Sequence, residues 1–128
     1  MLIEKSLSKT DKRVEFHQVL KNVAGIPRMV ESFVVTTVSE QLSQAHMMQF
    51  GDIVRPNNAV HVMEYAEGEA LDKARDKLSF QQRLAVFRKI VDIVRQMHEL
   101  NVYHLDLKPS NIIVDKDLNV HIVDLGSA

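Results

Sequence analysis

The sequence predicts an α+β fold, and three observations carry that expectation. The runs SFVVTTV at 32–38 and AVHVMEY at 59–65 are rich in β-branched residues and read as strands. The stretch 79–100 places apolar residues at helical spacing around most of its circumference and opens with Ser79 followed three residues later by Gln82, a capping box. Apolar runs on either side of a polar turn at 115–119 give the pattern of a hairpin. With 128 residues, 45% of them hydrophobic, the chain is long enough for one domain with its own core.

The elements follow in order. Residues 2–7 read as a short strand. Thr10 or Asp11 can cap a helix running to about Ala24, where Gly25 and Pro27 end it. Phe16, Val19, Leu20 and Val23 make one face of that helix. The strand at 32–38 follows. Residues 39–52 are polar apart from Met47, Met48 and Phe50 and read as a short helix or an irregular loop. Arg55 to Asn58 is a turn signal, and Gly68 breaks the strand that begins at Ala59. The helix from Ser79 to Leu100 carries two apolar stripes, one of Phe80, Leu84, Phe87, Val91 and Val94, the other of Val86, Ile90, Ile93, Met97 and Leu100. Such a helix is expected to be central and buried.

That helix runs directly into HLDLKPSN at 104–111, with DLG at 124–126 beyond the hairpin. Asp106, Lys108, Asn111 and Asp124 stand at fixed spacings. A hairpin between them folds Asp124 back beside Asn111 and Asp106. Two carboxylates, an amide oxygen and an ammonium then meet at one end of a sheet, which is the inventory needed to hold Mg²⁺ and a nucleotide phosphate while a hydroxyl is presented. Six prescribed letters arise by chance at about 10⁻⁸ per starting point, so ordinary turn residues are a poor account of this segment.

These residues resemble the catalytic and metal-binding loops of eukaryotic-type Ser/Thr protein kinases. The resemblance implies a partial protein-kinase-like fold: small-lobe strands and helix with the hinge over 1–66, and the start of the large lobe over 67–128. It implies ATP and Mg²⁺ as cofactors and transfer of the γ-phosphoryl group to a hydroxyl. Asp106 is implied as the catalytic base, Lys108 as a contact to the transferred phosphoryl, and Asn111 and Asp124 as metal ligands. His104 is implied to orient the catalytic loop from beneath. The segment VHVMEYAEG at 60–68 is similar to the family's fifth strand and hinge. Met63 then stands where a side chain limits the adenine pocket, and Glu64 and Ala66 stand where backbone groups pair with the adenine edge. For Lys5 and Glu15 two readings stand: the family's phosphate-contacting lysine and its helix partner, or two solvated surface charges. Measured from the apolar positions that follow it, the glutamate position falls on Phe16, one residue beyond Glu15.

The chain departs from the family pattern in ways that carry expectations. No glycine precedes Gly25, so no Gly-rich loop is expected over the phosphates. Leu105 stands in place of the usual arginine, so control by activation-loop phosphorylation is not expected, and Leu125 stands in place of the usual phenylalanine. Two residues follow Gly126, so an activation segment and the remaining large-lobe helices are expected to be missing. Three functional readings result: a protein kinase impaired by those gaps, a truncated kinase or pseudokinase that binds a partner, and a small-molecule phosphotransferase of the aminoglycoside-kinase kind.

Composition excludes other classes. A formal net charge of −1 gives no electrostatic case for nucleic acid or a membrane surface. There is no cysteine, hence no disulfide framework or thiol chemistry. No apolar run has membrane-spanning length, and a cytoplasmic location is the expectation. His17, His46, His61, His98 and His121 show no metal-ligand spacing. A protein substrate or a docking partner is expected, and an uncovered apolar helix would promote self-association.

Overall fold

The β-branched residues at 59–63 form the centre of a three-stranded antiparallel sheet in the computed structural model, which describes residues 2–6, 12–34 and 59–128. Strand β1 (Leu2–Ser6) and strand β2 (Met29–Val34) both pair with β3 (Ala59–Met63). The spatial order β1-β3-β2 puts the last strand of the three in the middle. Helix α1 (Arg13–Val19) lies between β1 and β2 in sequence.

Helix α1 is shorter than its periodicity predicts. It ends at Val19, and the chain continues to Ile26 through tight turns, with the Val23 N–H donating to Leu20 O and the Ile26 N–H to Val23 O. Leu20 and Val23 are nevertheless buried. A three-residue turn brings i and i+3 to one side much as a helix does, so the apolar pattern outlasts the helix. Strand β2 begins at Met29, three residues before the predicted start, and the expected continuation to Val38 lies outside the described residues, as do the candidate cap residues Thr10 and Asp11 and the readings for 39–58. Strand β3 ends at Met63 rather than Tyr65.

A second sheet, order β4-β5-β6, holds the hairpin. Strand β5 (Ile112–Val114) pairs with β6 (Val120–Ile122), and the two-residue strand β4 (Glu69–Ala70) pairs with β5. Gly68 permits that last pairing. Its φ is +133°, and a Cβ there would run into the Val114 carbonyl. The chain then makes helix α2 (Leu71–Ala74) and a 3₁₀ turn at Arg75–Lys77.

Helix α3 (Phe80–Glu99) begins where the sequence places it. The Gln82 N–H donates to Ser79 Oγ at 3.2 Å, and the Ser79 N–H donates to Gln82 Oε1 at 2.9 Å. Val86, Ile93 and Met97 pack into the core with Val102, Ile112, Val114, Val120, Ile122 and Leu125. Each such side chain contributes about 1.5–3 kcal/mol by leaving water. The expectation of a helix buried all round does not hold: Phe80 is 74% exposed and Phe87 59%. Val86, Ile93 and Met97 of one stripe are buried in that core, with Ile90 and, from the other stripe, Val94 packed against it. The other stripe borders an open apolar groove of about 590 Å³ between α3 and Leu107.

The turn between α1 and β2 is tied by main chain to the second sheet: the Ile122 N–H donates to the Gly25 carbonyl at 2.8 Å. Gly25 has φ +93°, and a Cβ there would lie 2.5 Å from Ile93 Cδ1 and 2.8 Å from the Val120 carbonyl.

His17 and His61 are both buried where α1 faces the first sheet, and His61 Nδ1 lies 2.8 Å from Ser32 Oγ. Burial lowers the His17 pKa below 6.5; the Pro27 carbonyl opposes that shift, and the positive charge of Arg13 and the proximity of His61 add to it. The unfolded chain therefore takes up a proton that native His17 resists, and stability is lost as pH falls below about 6.5. Thermal melts at about pH 7.5 and 5.5 are expected to show a larger drop for the native chain than for His17→Gln; equal drops would exclude His17 as the cause.

Candidate functional site

The hairpin turn shapes the far end of the site's sheet. Asp115 Oδ1 accepts the N–H groups of Asp117 and Asn119, both at 2.9 Å, and Oδ2 accepts Asn119 Nδ2 at 3.0 Å. The backbone bond from Asn119, joined by the other two, holds the Asp115 carboxyl below the usual carboxylate range. Leu118 takes φ 62° to close the turn. At the other end of the same two strands lie the polar residues singled out by spacing.

Asn111 closes a 3₁₀ turn over Pro109–Asn111, with proline at its start. Its N–H donates to Lys108 O at 2.9 Å and its carbonyl accepts the Val123 N–H at 2.9 Å. Its side-chain Nδ2 donates to the Asp106 carbonyl at 3.0 Å. The amide is thereby oriented by its donor half, and Oδ1 is left as an acceptor.

His104 is 4% exposed and bonds through both ring nitrogens. Nε2 lies 2.8 Å from the Val123 carbonyl, and Nδ1 accepts the Asp106 N–H at 3.3 Å. A ring N–H on Nε2 and a lone pair on Nδ1 satisfy both partners. The imidazole thus pins the backbone of Asp106 to that of Val123, and Asn111 pins the same two segments from the other side. The expected role of His104 beneath the loop matches this geometry.

Two residues here have left-handed backbones. Leu105 and Asp124 each have φ 64°. A non-glycine residue in that region costs about 1–2 kcal/mol, and the bonds to Val123 and Asn111 hold both turns in place. Leu105 is 77% exposed, so its left-handed turn aims the apolar side chain outward while the neighbouring peptide reaches His104. Asp124 Oδ1 accepts the Gly126 N–H at 3.2 Å, which leaves Oδ2 uncommitted. Leu125, between them, is 1% exposed and belongs to the core.

Lys108 Nζ lies 3.5 Å from Asp106 Oδ2, with both side chains about half exposed. The structure therefore joins Asp106 to Lys108 by charge and Asp106 to Asn111 by hydrogen bond, and it seats Asp124 one residue beyond the Asn111–Val123 bond.

At the end of β3, Met63 is fully buried. The Glu64 N–H donates to Arg28 O at 2.8 Å, and its carboxylate pairs with Arg28 Nη2 at 3.2 Å. Among the described residues the Glu64 carbonyl and the Ala66 N–H have no hydrogen-bond partner. Lys5 pairs through its backbone with Val60 on β3; its side chain lies outside the description. Glu15 is exposed, while Phe16 packs against the core, so α1 turns the phenylalanine inward and the glutamate out.

One residue at this site escaped the motif reading. A Cβ on Gly126 would lie 2.6 Å from Arg13 Nη2 and 3.0 Å from Asp124 Oδ1. The guanidinium of α1 thus stands against the DLG segment. The signal was present in the spacing: Arg13 precedes Phe16 by three residues and Leu20 by seven, the same side of a helix.

Comparison with known proteins gives concordant matches. The family model described as a protein kinase domain matches residues 7–128. A carbon catabolite-derepressing protein kinase of Saccharomyces cerevisiae is 35% identical over 88 residues, 66% of this chain and 14% of that protein. A maternal embryonic leucine zipper kinase of Xenopus tropicalis is 34% identical over 91 residues, 68% of this chain and 14% of that protein. A CBL-interacting protein kinase of Oryza sativa is 41% identical over 68 residues, 51% of this chain and 15% of that protein. The matched segments thus span about one seventh of these relatives' length.

Proposed function

The chain belongs to the protein kinase domain family, and from that premise we propose that it carries the core of an ATP- and Mg²⁺-dependent centre transferring a γ-phosphoryl group to a Ser/Thr hydroxyl of a protein. The observation that carries the proposal is the network in which His104 and Asn111 hold Asp106 and the strand leading to Asp124 in one register. Phosphoryl transfer depends chiefly on position and charge stabilisation, and this network supplies position.

In this reading Asp106 accepts the proton of the substrate hydroxyl. Lys108, already beside that carboxylate, contacts the transferred phosphoryl, and its place two residues after Asp106 favours the Ser/Thr-directed branch. Asn111 Oδ1 and the Asp124 carboxylate would hold Mg²⁺. Those donors fit a hard cation, being oxygens with no imidazole or thiol beside them in the set. When bound, Mg²⁺ neutralises charge on the transferred group. The Glu64 carbonyl and Ala66 N–H are open to the adenine edge, Met63 bounds that pocket, and Lys5 is the candidate phosphate lysine.

A second reading, a protein-binding module, is favoured by the exposed apolar side of α3. Calorimetry with ATP separates the two. Under the first, ATP binds more tightly with Mg²⁺ than without, and Asp124→Ala removes the difference. ATP affinity indifferent to both Mg²⁺ and the substitution would overturn the assignment.

A further inference from the structure

We propose that Arg13 is a further phosphate-contacting residue of this site, its guanidinium directed from α1 toward the phosphates of the bound nucleotide. The proposal rests on the nucleotide reading above and deepens it.

Phe16 is packed against the core and Leu20 is fully buried, so the side of the helix they share with Arg13 faces inward. Glu15 lies on the exposed side. The element next to the DLG segment therefore offers it a cation. Gly126 shows how near that cation comes. The position a Cβ would occupy is 2.6 Å from Arg13 Nη2, 3.1 Å from Arg13 Cζ and 3.0 Å from Asp124 Oδ1. Guanidinium and carboxylate flank one α-carbon, and the missing side chain of Gly126 makes the room.

The chemistry follows from that position. Phosphate oxygens sharing a cation with the Asp124 carboxylate would lie beside that carboxylate. A guanidinium flanking the same loop is within side-chain reach of those oxygens. Its planar fork of donors matches two phosphate oxygens at once, and its charge is permanent. Asp124 and Arg13 then divide the work: one holds the cation, the other meets the anion directly.

The test uses calorimetry on the 128-residue chain with ATP and with adenosine, both in the presence of Mg²⁺. Arg13→Gln is expected to weaken ATP binding by about 10- to 100-fold and to leave adenosine binding unchanged. Arg13→Lys, which keeps the charge and loses the fork, is expected to fall between. Gly126→Ala, whose Cβ collides with the guanidinium, is expected to weaken ATP selectively too, and the double variant with Arg13→Gln to lose little more. Equal losses for ATP and adenosine would show a merely structural role and overturn the assignment. ATP affinity unchanged in Arg13→Gln would overturn it while leaving the nucleotide reading intact. A native chain that binds neither ligand would overturn both.

Discussion

Asp106→Asn is expected to lower any phosphoryl transfer or ATP hydrolysis by this chain about 10²- to 10⁴-fold, the range for loss of a positioned general base. The substitution keeps size and removes charge. It leaves the local framework untouched, because His104 and Asn111 hold Asp106 by its backbone N–H and carbonyl. Nucleotide affinity should therefore stay within a few-fold, and the loss should appear in the rate. A single-turnover assay with labelled ATP, beside calorimetry on the same preparation, makes the distinction. A rate unchanged in Asp106→Asn would show that another group is the base.

Leu125→Ala is expected to cost about 2–5 kcal/mol of stability, the usual range for truncating a buried leucine. Leu125 is 1% exposed and shares its cluster with Leu20 and Ile122, both fully buried. It is also the residue between Asp124 and Gly126, so a cavity there loosens the carboxylate's seat. Urea unfolding should show the midpoint move with little change in slope. Leu125→Phe restores the residue usual at this place in the family and enlarges the side chain; it is expected to cost less than the alanine, about 1–3 kcal/mol from overpacking. The reverse order would mean that the site has spare room.

The hairpin and its polar end are legible because two short apolar runs flank a polar turn, and because the site's residues lie close together in sequence. The capping box at Ser79 and Gln82 was legible for a similar reason: both partners sit within one turn. What escaped depends on contacts that sequence distance hides. The β4 strand has two residues, too few for any period, and what admits it, the approach of Gly68 to Val114, joins residues far apart in the chain. Periodicity overruns the end of α1 because Leu20 and Val23 are buried by turns as effectively as by a helix. For the second stripe of α3, apolarity says which residues shun water, and only packing says which of them escape it. Arg13 stands apart because a charge on a helix is by default on a solvated face, and only contacts with distant residues show otherwise.

The backbone of Val123 makes the register of the site independent of one side chain. Its N–H is held by Asn111 and its C=O by His104, so the strand carrying Asp124 is registered by main-chain atoms that every residue except proline possesses in full. The valine side chain takes no part in either bond. Any residue other than proline at 123 can therefore make both bonds, and the register of Asp106, Asn111 and Asp124 rests on chain spacing rather than on the identity of that side chain.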